Sequence, residues 1–320
     1  MKKTKLLSLL ALPLMLGGLT SCGPNAKYKV GVCQLVTHDA LDAATQGFVD
    51  TLKEEFGDDV YIEIKNADGE KPNCVPIVNN FVSKRYSLIM ANATPALQTA
   101  ANATKDIPVL GTSVTDYGSA LGIDDFDGTT GYNVSGTSDL VSIEEQVNCF
   151  EEIFPDAEKV GLLYCTSESN SLYQVEEIEK IFEEREINSR RISFTDSNDI
   201  GSVLDAAIAS GVDTIYIPTD NTAASNASII DSKCRGGDKK IPVFAAEEGL
   251  CENCGAVTLS LSYYRLGQMT GEMAISILKG EADITKMPVR HFESEDYEKK
   301  YNEEICDDLN ITVPSDFVKI

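Results

Sequence analysis

The chain has 320 residues, room for two lobes at about 150 residues each. With 42% apolar and 24% charged residues it has the composition of a folded globular protein, which excludes a disordered one. Its formal net charge of −24 comes without any notable cluster of Lys or Arg, so a nucleic-acid partner is excluded as well.

The N-terminus reads as a targeting segment. Lys2, Lys3 and Lys5 make a basic start, and Leu6–Leu16 is an apolar run too short to span a bilayer. Leu19-Thr20-Ser21-Cys22-Gly23 then resembles the bacterial lipobox. That resemblance implies a signal peptide over 1–21, cleavage before Cys22, lipid on its sulfur and a short linker over 22–27. The lipid would tether the mature chain to the outer face of a membrane. Losing the three lysines takes the net charge from −24 to −27.

From Tyr28 onward, strands and helices alternate. Tyr28–Leu35 reads as a strand, and Asp39–Glu55 has helical spacing through Leu41, Ala44, Phe48, Leu52 and Phe56. Val60–Ile64 is a second strand, Pro76–Ser83 a helix, Leu88–Ala91 a strand, Ala96–Ala103 a helix and Pro108–Gly111 a strand. Thr112–Gly136 is rich in glycine and reads as a loop, with the first crossing between lobes at its end. The pattern then repeats. Helices are expected over Val141–Phe154, Leu172–Arg185, Val203–Ala209, Ala223–Ser232 and Leu266–Leu278. Strands are expected over Val160–Cys165, Ser189–Phe194, Thr214–Ile217, Pro242–Ala245 and Ala256–Leu261. Such alternation predicts an α/β architecture of parallel sheets covered by helices on both faces.

Eight cysteines remain besides Cys22. Cys33 and Cys165 sit in apolar runs and read as small buried hydrophobes. Cys251 and Cys254 form a CxxC, but only Cys234 and Cys306 are available as further ligands, so no metal is expected. A local disulfide and free thiols both remain open for this pair.

Three strand ends run into polar turns that open helices: Asn92-Ala93-Thr94-Pro95, Thr166 to Ser171, and Thr219-Asp220-Asn221. Open α/β sheets bind ligands at such places. Catalysis finds no comparable support. His38 and His291 are the only histidines, no glycine-rich nucleotide loop follows the first strand, and no carboxylate pair stands out by spacing. No enzyme activity and no cofactor are therefore expected. The turns instead suit a small zwitterion. Asp116, Asp139, Asp220 and Glu248 are candidates for an ammonium, and Thr94, Ser138, Ser167, Asn170 and Ser171 for a carboxylate bound without arginine at helix starts.

Eight short stretches carry a resemblance over Val30 to about Pro288. They are Gly31–Gln34 with His38–Asp42, Asn66–Glu70, Ala93–Gln98, Val114–Asp116, Gly136–Asp139, Ser167–Ser171, Pro218–Asn221 and Glu247–Gly249. In this register they resemble the substrate-binding lipoproteins of ABC importers whose described members take up tryptophan, or tyrosine and phenylalanine. The resemblance implies a type I periplasmic-binding-protein fold: two Rossmann-like lobes with parallel sheets joined by three hinge crossings. It implies an N-terminal lobe of 28–136 and 262–286, and a C-terminal lobe of 137–261 and 287–320. It adds Gln34 and Asn221 to the ligand-binding candidates. It implies a monomer that takes a small-molecule ligand, an amino acid, from outside the cell and hands it to an ABC permease after hinge closure. Tyr117, Tyr173 and Tyr263 are the aromatic candidates for the cleft. A sugar or nucleoside ligand on the same scaffold, a surface enzyme and a sensor lipoprotein are the rival readings.

Overall fold

The computed structural model describes residues 26–320, so the expected leader and Cys22 lie outside the described residues. Among the described residues, no helix is long and apolar enough to cross a membrane.

The first sheet holds β1 (Tyr28–Gln34), β2 (Val60–Asn66), β3 (Leu88–Asn92), β4 (Val109–Val114) and β5 (Val134–Ser138), all parallel, in the order β2-β1-β3-β4-β5. Parallel neighbours need a crossover that carries the chain back. Here these are α1 (Asp39–Phe56), α2 (Lys71–Ser83), α3 (Thr94–Ala103) and the short α4 (Tyr117–Leu121). The second sheet follows α5 (Ile143–Ile153). Its strands are β6 (Val160–Cys165), β7 (Ser189–Phe194), β8 (Thr214–Ile217), β9 (Val243–Ala245), β10 (Val257–Ser260), β11 (Glu298–Tyr301) and β12 (Val318–Lys319). They lie in the order β12-β11-β10-β9-β8-β6-β7, with β11 antiparallel to β10. Its helices are α6 (Ser169–Glu184), α7 (Ile200–Ala209), α8 (Asn221–Ser225), α9 (Ala227–Arg235) and α10 (Glu248–Asn253), with α11 (Tyr263–Leu278) and α12 (Glu303–Leu309) after it.

Each sheet has an apolar cluster on both faces. Val30, Val32, Leu88 and Met90 pack on Phe48 of α1 and Met273 of α11, while Ile89, Ala91 and Val109 pack on Phe81 and Leu97. Burial on both faces explains why these strands read as continuous apolar runs. In the second sheet, Leu162, Tyr216 and Phe244 meet Phe150 and Phe182 on one side, and Leu163, Ile215 and Val243 meet Leu204 and Ile230 on the other.

The chain crosses between sheets three times: after β5, between β10 and α11, and again near Arg290. The first and third crossings lie side by side, since Arg290 N donates to Gly136 O at 2.9 Å and Ser138 N donates to Arg290 O at 2.8 Å. Helix α11 returns to the first sheet and lies against α1. The close approach rests on glycine: a Cβ at Gly47 would lie 2.0 Å from Tyr264 O, and one at Gly267 would lie 1.9 Å from Ala44 O.

β5, the edge strands β11 and β12 and the start of α2 depart from the expected elements. β5 lies where only loop and crossing are expected. Its Ser135, Gly136 and Thr137 look like turn residues, yet Ser135 Oγ donates to Met287 O, and Thr137 Oγ1 lies 2.8 Å from Thr270 Oγ1. Gly136 is needed because a Cβ there would strike Gly111 O at 2.0 Å. The edge strands β11 and β12 are polar and partly exposed, so they lack the apolar pattern that marks a strand. α2 starts at Lys71, with Pro72 in its first turn and Pro76 inside. All eight cysteines among the described residues are buried free thiols, with no disulfide and no metal cluster among the described residues.

Replacing Gly267 by Ala is expected to cost about 1–3 kcal/mol by overpacking α1 against α11. Gly237→Ala, where a Cβ meets nothing nearer than 3.7 Å, is expected to stay within about 0.5 kcal/mol. Denaturant unfolding of both variants checks this, and equal midpoints would remove the close contact.

Candidate ligand-binding site

The turns after the parallel strands of the two sheets meet around one small cavity of about 10 Å³, which in this closed form has room for about one water molecule. His38 and Leu41 reach it from the start of α1, and Ser113 and Thr115 from the end of β4. Asp139 stands where the chain first leaves the first sheet, and Tyr263 where it returns. The second lobe contributes Asn170 from α6, Thr219, Asp220 and Asn221 from the turn after β8, and Glu247 before α10. A larger groove over α2, α3 and α4 lies on the outside of the first sheet, remote from these strand ends.

The lobes are closed over the cavity. Thr115 Oγ1 lies 3.2 Å from Thr219 Oγ1, and His38 Nε2 lies 3.3 Å from Asn221 Oδ1. At the rim, Asn253 Nδ2 donates to Asp39 Oδ2 at 2.8 Å, and Gln98 Nε2 to Ser169 Oγ at 3.4 Å.

Two backbone outliers sit at the first-lobe wall. Ala93 has φ +88° directly after β3. Ser113 has φ +53° where the β4–β5 register slips between Gly111 and Val114. A side chain in these regions costs about 1–3 kcal/mol, and such strain concentrates where a ligand is held.

The acids divide into two kinds. Asp220 accepts Cys165 N at 2.6 Å on one oxygen and Ala223 N at 2.8 Å on the other, so both are occupied. Glu168 accepts Asn221 N, Thr222 N, Asn221 Nδ2 and Thr222 Oγ1 at 2.6–3.1 Å. Together these two carboxylates cap α8. Glu247 accepts Gly249 N and Leu250 N and caps α10. Asp139 is different. Its Oδ2 accepts Tyr263 OH at 2.9 Å, while Oδ1 is buried with no partner.

Burial pushes the Asp139 carboxyl up to about 6, against the pull of Tyr263. It pushes Glu247 up to about 7 despite two backbone N–H groups. Burial and then the Glu168 charge raise Asp220. Burial holds His38 below its ordinary value, so the base at the cavity is neutral near pH 7.

Of the residues singled out in the sequence, Asp139, Asn170, Asp220 and Asn221 line the cavity. Ser171 is fully buried just behind, beside Asn170 Nδ2. Thr94 is buried with an unpartnered Oγ1 at the start of α3, but is not on the cavity wall. The others lie elsewhere. Gln34 ties β1 to α1 through Thr45 and Asp42. Asp116 caps α4 through Ser119 N. Ser138 Oγ donates to Thr115 O, tying the end of β5 to the residue after β4. Ser167 is exposed beside Thr195, and Glu248 pairs with Lys300 at 2.8 Å. Of the three tyrosines, Tyr263 lines the cavity, Tyr117 is buried against Thr137 O, and Tyr173 is half-buried away from the wall. Ser113 and Glu247 also line the cavity and Glu168 lies just behind it; Glu247 and Glu168 each stand one position from an expected residue, Glu248 and Ser167.

The matching family model is that of the ABC transporter substrate binding protein, over residues 29–320. The chain is 34% identical over 263 residues to a tyrosine-binding protein of Clostridioides difficile, covering 81% of this chain and 75% of the relative. It superposes on an ABC domain in complex with L-Trp from Streptococcus pneumonia with a TM-score of 0.84, at 32% identity, covering 90% of this chain and 96% of that one. Against the ligand-free, open structure of a substrate-binding protein with adhesive properties from Clostridium difficile, the TM-score is 0.68 at 36% identity, over 92% and 99% of the two chains. The better match to the ligand-bound relative agrees with the closed lobes seen here. With a type I periplasmic-binding-protein fold and a closed cavity between its lobes, this chain belongs to the ABC transporter substrate-binding family, whose members take small solutes outside the cytoplasm and deliver them to a permease.

Proposed function

We propose that the solute is an amino acid with an aromatic side chain, bound in the cavity between the lobes. The observation that carries this reading is the buried, unpartnered Oδ1 of Asp139, in a cavity that no Lys or Arg lines. A buried carboxylate oxygen without a partner is costly, and an ammonium relieves it. Asp139 holds the α-ammonium, helped by Asn170 Oδ1, which is also buried without a partner. The unpartnered hydroxyl of Ser113 takes the α-carboxylate at the strained end of β4. Leu41, His38 and Tyr263 form the wall for the side chain. The aromatic preference rests on the relatives, one described as tyrosine-binding and one holding L-Trp.

Asp220, Glu168 and Glu247 act as scaffold in this reading, because their oxygens are already engaged by helix starts. Capture works by hinge closure. Ligand contacts from both lobes favour the closed form, which the permease then reads. The ligand leaves unchanged. Lipid on Cys22 keeps the protein on the outer face of the membrane, with 22–27 as the leash.

Asp139→Asn is expected to weaken tyrosine or tryptophan binding by about 2–5 kcal/mol, since it strips the charge partner from a buried ammonium. Calorimetry giving an unchanged Kd would refute that role. Asp220→Asn is expected instead to lower Tm, because it disturbs two backbone contacts that position α8.

Two pH effects follow from the raised carboxyls. Ligand needs Asp139 ionised, so Kd rises as pH falls through about 6, approaching tenfold per unit. The ligand-free fold behaves the other way. Asp139 and Glu247 bind protons more tightly folded than unfolded, so between about pH 4 and 7 the native state carries the extra protons. Their contribution to stability therefore falls as pH rises through that window. A Tm series without ligand, wild type against Asp139→Asn, reads the Asp139 share. Identical slopes for the two would contradict it.

A further inference from the structure

We propose that the cavity recognises the amine of its ligand rather than the amino acid as a whole, so that an aromatic monoamine without a carboxylate binds nearly as well as the corresponding amino acid. This rests on the reading that the cavity between the lobes is the ligand site.

Three carboxylates line the cavity, those of Asp139, Asp220 and Glu247, and Glu168 lies directly behind the turn that carries Asp220. No Lys or Arg lines it. The lining base is His38, and its burial disfavours the charged form. A ligand carboxylate thus enters a space that holds three acids, no fixed positive charge and little water to screen them. It meets only neutral hydroxyls. Attraction from those groups and repulsion from the acids oppose one another, and the net contribution of the ligand carboxylate is small.

The unpartnered atoms point the same way. Asp139 Oδ1 and Asn170 Oδ1 belong to residues only 4% exposed, and both are pure acceptors. The orientation of Asn170 is fixed by its neighbours, because its Nδ2 donates to Thr219 O at 2.8 Å. Its oxygen is therefore the atom left for a ligand. Ammonium protons match these two acceptor oxygens, whereas no charged donor awaits an anion. Loss of the amine removes the matched group; loss of the carboxylate removes the mismatched one.

The test is calorimetry on the mature chain with matched sets: tyrosine, tyramine and 3-(4-hydroxyphenyl)propionate, and tryptophan, tryptamine and 3-indolepropionate. The expected result is an amine Kd within tenfold of its amino acid, with the propionates more than a hundredfold weaker. Asp139→Asn, checked by Tm for folding, should weaken amine and amino acid by the same factor. Amines more than a hundredfold weaker than a binding amino acid would overturn the proposal and leave the functional reading intact. So would tyramine binding that survives Asp139→Asn. If neither amino acid nor either amine binds, the aromatic reading falls, and this proposal with it.

Discussion

The closed form depends on one constraint: a carboxylate oxygen of Asp139 is shut away from water with nothing to pair it. A lone buried acid destabilises the state that buries it, unless it takes a proton or meets a cation. Asp139 takes a proton as pH falls through about 6, and in the proposed reading meets an ammonium when ligand enters. The position makes this effective. Asp139 stands at the first crossing, where Tyr263 from the second crossing donates to its other oxygen. The same side chain therefore joins two of the three strands of chain on which the lobes turn, and faces the cavity between them. Satisfying it favours the closed arrangement directly.

The remaining acids show how the site keeps its shape. Asp220 and Glu168 converge on the start of α8, and Glu247 holds the start of α10. Each satisfies backbone N–H groups that a short helix cannot satisfy itself. Their raised or shared charge stays in the wall, where it excludes anions and favours a cation. On the opposite wall the work is done by backbone conformation. Ser113 holds positive φ, so the end of β4 turns inward and presents an unpaired hydroxyl to the cavity. One lobe thus brings acids and the other a strained neutral donor.

Closure is also held by contacts that need no ligand. The Thr115–Thr219 and His38–Asn221 contacts bridge the lobes across the cavity, and Asn253–Asp39 and Gln98–Ser169 bridge them at the rim. Hydrogen bonds of this kind are worth about 1 kcal/mol each at most in water-exposed places.

The sequence by itself determined the α/β class, the two sheets and most of their helices. Strands buried on both faces, such as Leu88–Asn92 and Val160–Cys165, are continuous apolar runs, and helices such as α1 repeat at 3.6 residues. It also marked strand-end turns of which Thr219-Asp220-Asn221 comes to the cavity, although the same residues serve equally well as helix caps. Within those turns it fell short by single residues. Glu247 and Glu248 both follow β9, and Ser167 and Glu168 both precede α6; which of each pair faces inward depends on the phase at which the helix starts, a tertiary matter. β5 was illegible because its polar residues are satisfied by Met287 and Thr270, far away in the chain. Only the folded structure could separate Asp139 from Asp220. Both are aspartates after a strand, and the difference is that backbone N–H groups occupy one and leave an oxygen of the other free.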